Sequence, residues 1–104
     1  MNKRLEMLEK LVNLGTADAF AEYALGMEYK KVGRHADAIS RFNALRERDP
    51  SYVPVHLMAA QLLVELGRYE EARAWLEHGL SAATTKGDSK ALGELRELLA
   101  ELPA

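Results

Sequence analysis

The dipeptide Gly33-Arg34 recurs further along the chain as Gly67-Arg68, and the same shift superposes the apolar and small positions around it. It carries Leu25-Gly26 onto Ala59-Ala60, Tyr29 onto Leu63, Val32 onto Leu66, Ala38 onto Ala72, Phe42 onto Leu76 and Leu45 onto Gly79. A period of this length, the step from Gly33 to Gly67, constrains the fold more than any other feature. A unit of that size cannot bury its apolar face alone, so neighbouring units must share a core.

Within each unit the apolar spacing is helical. One stripe runs through Ala21, Leu25, Tyr29 and Val32 and the next through Ala38, Ile39, Phe42 and Leu45. Their counterparts run through Val55, Ala59, Leu62, Leu63 and Leu66 and through Ala72, Leu76 and Leu80. Flanking stripes occur at Leu5, Leu8, Leu11 and Val12, and at Leu92, Leu95, Leu99 and Leu102. No segment alternates at period two over the length of a strand. Breaks at Gly15-Thr16, Gly33-Arg34, Asp49-Pro50-Ser51, Gly67-Arg68 and Gly87-Asp88-Ser89 separate the stripes. The spacing therefore predicts six helices over 2–14, 16–32, 35–48, 52–66, 69–84 and 88–102, with Thr16 and Ser89 as N-caps and Pro54 in a first turn.

The chain has 104 residues, 48% of them apolar and 29% charged, which describes one soluble domain. Fourteen basic against sixteen acidic side chains leave a net charge of −2, so no basic field collects phosphates, and neither nucleic acid nor a membrane surface is expected as a partner. Without cysteine there is no disulfide framework, thiolate catalysis or thiolate zinc site. Met1 to Lys10 alternates charged and apolar residues in place of a signal-peptide apolar run, so a cytoplasmic location is expected.

A helix, tight turn, helix unit repeating at this period resembles the tetratricopeptide repeat (TPR). Leu25-Gly26, Tyr29, Gly33, Ala38, Phe42 and Pro50 stand where the family signature places them in a first copy, 19–52. A second copy, 53–86, keeps Ala60, Gly67, Tyr69 and Ala72, with Leu76 for the aromatic residue and Thr84 for the closing proline. Glu22 and His56 occupy the signature tryptophan positions. The resemblance implies an all-α, TPR-like right-handed α-solenoid of antiparallel helix pairs, about six helices, forming a single domain over 1–104. Residues 1–15 would be a flanking helix like the second half of a preceding repeat. Residues 88–104 would be a C-terminal capping helix in which Ala91-Leu92-Gly93 echoes Ala24-Leu25-Gly26, with a polar outer face of Lys90, Glu94, Arg96, Glu97 and Glu101.

Candidates for chemistry are sparse. His35, His56 and His78 fall on three separate predicted helices, so no two of them share a helix face at metal-ligand spacing, and they read as surface or half-buried imidazoles. Ser40, Ser51, Ser81 and Ser89 lie in no nucleophile elbow, and Glu70-Glu71 and Glu94/Glu97 read as solvated surface. No catalytic residue, metal site or cofactor is expected. Lys30, Lys31 and Arg34 form the one compact basic cluster, where favourable interaction with a helix C-terminus outweighs an anion site. Trp75 is expected to pack partly on its neighbours, with an exposed partner anchor as the alternative.

In proteins similar to this, the first helices of successive repeats line a concave groove that grips a peptide or helix. That resemblance implies a partner-binding groove of Phe20, Tyr23, Met27, Lys30 and Lys31 in the first copy and Leu57, Gln61, Val64 and Glu65, beside Pro54, in the second. Lys90, Glu94, Glu97 and Leu98 would continue it on the C-terminal helix. The family's carboxylate clamp is disfavoured, because Tyr23 and Leu57 stand where it needs cations, and Met27 and Gln61 where it needs amides. The function expected is a non-catalytic protein–protein interaction module, an adaptor, scaffold or assembly factor. The alternative is a homo-oligomerising structural protein, a homodimer that closes on its own groove or Trp75 face.

Overall fold

The computed structural model describes residues 2–104, and these form six α-helices and no strand: α1 (Lys3–Asn13), α2 (Ala19–Lys31), α3 (His35–Arg48), α4 (Val53–Glu65), α5 (Tyr69–Lys86) and α6 (Ser89–Glu101). They divide into two compact units, Met1–Asp49 with α1 to α3 and Pro50–Ala104 with α4 to α6.

The repeated dipeptide closes both central hairpins with the same geometry. Gly33 (φ 82°) donates its N–H to the Lys30 carbonyl while the Arg34 N–H returns to the Tyr29 carbonyl at 2.9 Å. Gly67 (φ 74°) and Arg68 repeat this on Val64 and Leu63, the latter at 2.8 Å. These paired bonds satisfy carbonyls that the last helical turn would otherwise leave open, and they require a left-handed residue that costs a side-chain-bearing amino acid about 1–2 kcal/mol.

Three helix ends differ from the sequence-based expectation. Asp18, not Thr16, caps α2, accepting from the Ala21 N–H at 2.8 Å, and the helix begins at Ala19. Thr16 instead donates its hydroxyl to the Leu11 carbonyl and helps to close α1. Asp88, not Ser89, caps α6 through the Ala91 N–H, and α5 continues to Lys86, where Gly87 (φ 66°) stops it. In the first two cases a carboxylate stood close to a hydroxyl, and the charged acceptor at a helix N-terminus is the more favourable partner.

In the first unit, Leu25, Ala38, Phe42 and Leu45 form the sealed interior between α2 and α3. A methyl group added at Gly26 would overlap the Phe42 ring, with Cδ1 only 2.7 Å away, so the glycine is what lets the two helices meet. Leu5 and Leu8 of α1 are buried in this unit as well, and the buried carboxylate of Glu28 accepts from Arg4 at 2.9 Å and Asn2 at 3.3 Å, tying α2 to α1.

In the second unit, Val55, Ala59, Ala60, Leu62 and Leu63 of α4 are buried with Ala72, Leu76 and Ala83 of α5 and Leu95 of α6. A methyl at Gly79 would come within 2.7 Å of His56 Cβ and 3.0 Å of Leu95 Cδ2, so this glycine makes the space those two side chains occupy. Gly93 does not share the packing role of Gly26 that its sequence echo suggests. Nothing lies within 4 Å of where its Cβ would be, because no described helix stands to α6 as α3 stands to α2.

Candidate functional site

Each unit offers a surface built on the leading helix of its hairpin. On α2, Phe20 is 65% exposed, so it does not pack down onto α1. Tyr23 is half-buried, its ring centroid 6.2 Å from that of Phe42. Met27 and Lys30 are half-buried and Lys31 is exposed. Three, four, three and one residues separate these positions, which keeps the five side chains along one side of the helix.

In the second unit a groove of about 190 Å³ runs between α4 and α6, lined by Leu57, Gln61, Glu94, Glu97, Leu98 and Glu101. Five of these are positions that the repeat register nominates, and Glu101 is added by the geometry. Val64 is half-buried and Glu65 exposed, neither lining the groove.

The basic cluster is not a set of three open cations. The Arg34 guanidinium holds Asp37 at 2.8 Å, lies 3.9 Å from Glu9 and sits 4.5 Å above the Tyr29 ring, and the Asp37 hydrogen bond raises its pKa further. The Tyr29 hydroxyl donates to Glu9 at 2.6 Å, and burial followed by that hydrogen bond pushes its pKa up from the ordinary value. This network edges a polar cavity of about 260 Å³ whose lining includes Glu9, Asp37, Ser40 and Arg41, a feature sequence spacing did not reveal because it joins three helices.

Of two further expectations, the packing of Trp75 holds and the exposure of His56 is corrected. Trp75 is only 4% exposed, so its indole is not a partner anchor. Its centroid lies 5.8 Å from that of His56, which is itself 1% exposed and holds the Pro50 carbonyl at 3.0 Å through Nε2. His56 is therefore a core side chain, not a surface or half-buried one; the space left by Gly79 admits it. Among the described residues no group of three or more His, Asp or Glu side chains could hold a metal ion. No helix among them is long and apolar enough to cross a membrane.

A family profile described as tetratricopeptide repeat matches residues 31–102, more than half of the chain. The chain belongs to the tetratricopeptide repeat family. It is similar to the TPR repeat-containing protein PA0015 of Pseudomonas aeruginosa, 30% identical over 98 residues that cover 94% of this chain and 93% of the relative. The solution structure of protein BPP2914 from Bordetella parapertussis is similar with a TM-score of 0.80 and 28% identity, covering 96% of this chain and 87% of the other. The crystal structure of a tetratricopeptide repeat domain protein from Salinibacter ruber is similar with a TM-score of 0.77 and 31% identity, over 81% of this chain and 94% of that one. The all-α architecture read from the repeat period is thus that of the TPR solenoid class. TPR units are protein-interaction modules and generally non-catalytic, and the family match spans residues 31–102 of this chain.

Proposed function

We propose that this TPR protein is a non-catalytic adaptor or assembly factor that binds a peptide or helix of another protein. Each unit contributes its own surface, the α2 side bearing Phe20, Tyr23, Met27, Lys30 and Lys31 in the first and the α4 side bearing Leu57, Gln61, Val64 and Glu65 in the second. The observation that carries this reading is Phe20. An aromatic ring left 65% exposed, on the same side of the helix as Tyr23 and Met27, is apolar surface the fold has not used. Aromatic anchors contribute most of the energy of such contacts, and the thioether of Met27 adapts to an imperfectly matched ligand.

Affinity capture with the wild type beside Tyr23→Ala/Leu57→Ala tests the reading. Both side chains are half-buried, so the double variant is expected to stay helical by circular dichroism while losing partners that the wild type retains. A folded double variant that captures the same proteins with the same affinity overturns it.

A second reading, self-association, is favoured by a separate feature. Met7, Leu11 and Leu14 are exposed at helical spacing along α1 and past its end, an apolar stripe suited to a second copy of the chain. Sedimentation at micromolar and at near-millimolar concentration decides it, and a monomer at both ends the reading.

A further inference from the structure

The groove between α4 and α6 has an unusual charge arrangement for its position. Glu94, Glu97 and Glu101 project along α6 at three- and four-residue spacing, on the side that lines the groove with Leu57, Leu98 and Gln61. Like charges at these intervals repel. The last turn of α6 contains no basic residue, so Glu101 also faces the negative end of the helix dipole. No basic side chain among the described residues pairs with any of the three, and Arg68 of this unit is held by Glu71 at 2.6 Å. Pro50–Ala104 as a whole carries five Lys and Arg against eight Asp and Glu, whereas Met1–Asp49 carries nine against eight. The fold therefore holds three carboxylates at like-charge spacing beside two half-buried leucines, with no cation of the described residues within ion-pair distance of any of them.

We infer that the α4–α6 groove binds a basic amphipathic helix of another protein, one whose apolar side chain seats against Leu57 and Leu98 while Lys or Arg residues meet Glu94, Glu97 and Glu101. This rests on the interaction-module reading and specifies its ligand chemistry. The three carboxylates span two turns of α6, roughly 10 Å along the axis, and cations at three- and four-residue spacing on a helix laid beside it match that interval. The amide of Gln61 lies in the same lining and can hydrogen-bond polar groups of the ligand. Charge complementarity of this kind sets orientation and rejects acidic ligands, while the leucine contact holds the ligand in place.

The test uses the full chain and two synthetic helical peptides of equal length, five turns each, with the same leucine stripe, one with Lys and Arg flanking it and one with Glu at those positions. Methyl NMR shifts of Leu57 and Leu98 and fluorescence anisotropy of labelled peptide report binding. The cationic peptide is expected to move both methyl groups and the acidic one to leave them in place. The variant Glu94→Gln/Glu97→Gln/Glu101→Gln, which keeps shape and removes charge, is expected to bind the cationic peptide roughly tenfold more weakly. Raising salt to about 0.5 M should weaken the wild type towards the variant and change the variant little. Equal binding of the two peptides at these methyl groups, or of the cationic peptide by wild type and variant, overturns the charge assignment and leaves the module reading standing. Silence of both methyl groups towards the cationic peptide overturns the groove assignment, and the Tyr23/Leu57 capture decides the module reading separately. Self-association of the wild type that the triple variant abolishes would make the occupant a second copy and overturn the assignment to another protein.

Discussion

The two units place one hairpin design in the same register and fill it with different side chains. In Met1–Asp49 the close approach is Gly26 under Phe42; at the equivalent positions of Pro50–Ala104 stand Ala60 and Leu76, and all four positions are buried. Volume has moved from one helix to the other and the sum is nearly kept, which is what cores tolerate best. Leu45 becomes Gly79, and the space released is occupied by His56 and Leu95. The signature tryptophan position diverges more. In the first unit Glu22 pairs with Arg48, which also donates to the Ala17 carbonyl at 3.0 Å, a polar tie between the end of α3 and the start of α2. In the second, His56 sits beneath Trp75 and reaches the Pro50 carbonyl. Glu22 thus ties α2 to the end of α3 through Arg48, whereas His56 ties α4 to the segment just before it. The register is set by small-residue contacts and glycine turns, and the aromatic position is replaceable wherever another group ties down the leading helix.

The largest effect should come from removing that distinction at Gly79. Gly79→Leu restores the residue type of the first unit but drives its Cβ into His56 and its branches into Leu95. Overpacking of this kind costs about 1–3 kcal/mol, and a shift of about 4–8 °C in Tm per kcal/mol makes it visible in thermal melts followed by circular dichroism. An unchanged Tm would mean that His56 and Leu95 are not the reason for the glycine.

The smaller, sharper test exchanges the close-approach pair. Gly26→Ala alone should destabilise by about 1–2 kcal/mol, because the new methyl meets the Phe42 ring and the better helix propensity of alanine returns only part of the loss. Phe42→Leu alone should destabilise by about 1 kcal/mol through the space it leaves. The double variant, which copies Ala60 with Leu76, is expected to lie within a few tenths of a kcal/mol of the wild type in urea unfolding, so the coupling exceeds about 1 kcal/mol. Additive losses would show that the two hairpins are not interchangeable at this layer.

These tests also mark what the sequence made legible. Helix number, the two glycine turns and the repeat register follow from short-range rules acting within a few residues, and residues such as Gly33, Gly67, Phe42 and Leu76 occupy the places those rules assign. What escaped was made by partners far apart in the chain or by near-equal choices between close neighbours. His56 read as a surface or half-buried group because its acceptability inside depends on Gly79, which lies on the following helix. Asp18 and Asp88 displaced Thr16 and Ser89 because acceptors of similar rank stood within two residues of each other. The α6 carboxylates were identifiable as groove positions in Glu94 and Glu97, but equally as solvated surface. Only the approach of Leu57 and Leu98 distinguishes a lined groove from an open helix side.

The smallest effect separates the units by pH. Tyr29 has Leu63 as its repeat counterpart, so the second unit lacks this titrating contact. Burial, and then the hydrogen bond to Glu9, hold the Tyr29 hydroxyl above its ordinary pKa of 10.0 in the folded state. Below about pH 10 the hydroxyl is protonated in both states and its stabilising contribution is fully present. Above it the unfolded chain ionises first, so stability falls as pH rises through the folded value. Tyr29→Phe gives up the Glu9 hydrogen bond, costing about 1 kcal/mol at about pH 8, but it has no hydroxyl left to ionise. Urea midpoints at about pH 8 and pH 11 should therefore show the wild type losing more of its stability than Tyr29→Phe, with the gap between them narrowing at alkaline pH. A constant gap would mean that the hydroxyl titrates alike in the folded and unfolded chains.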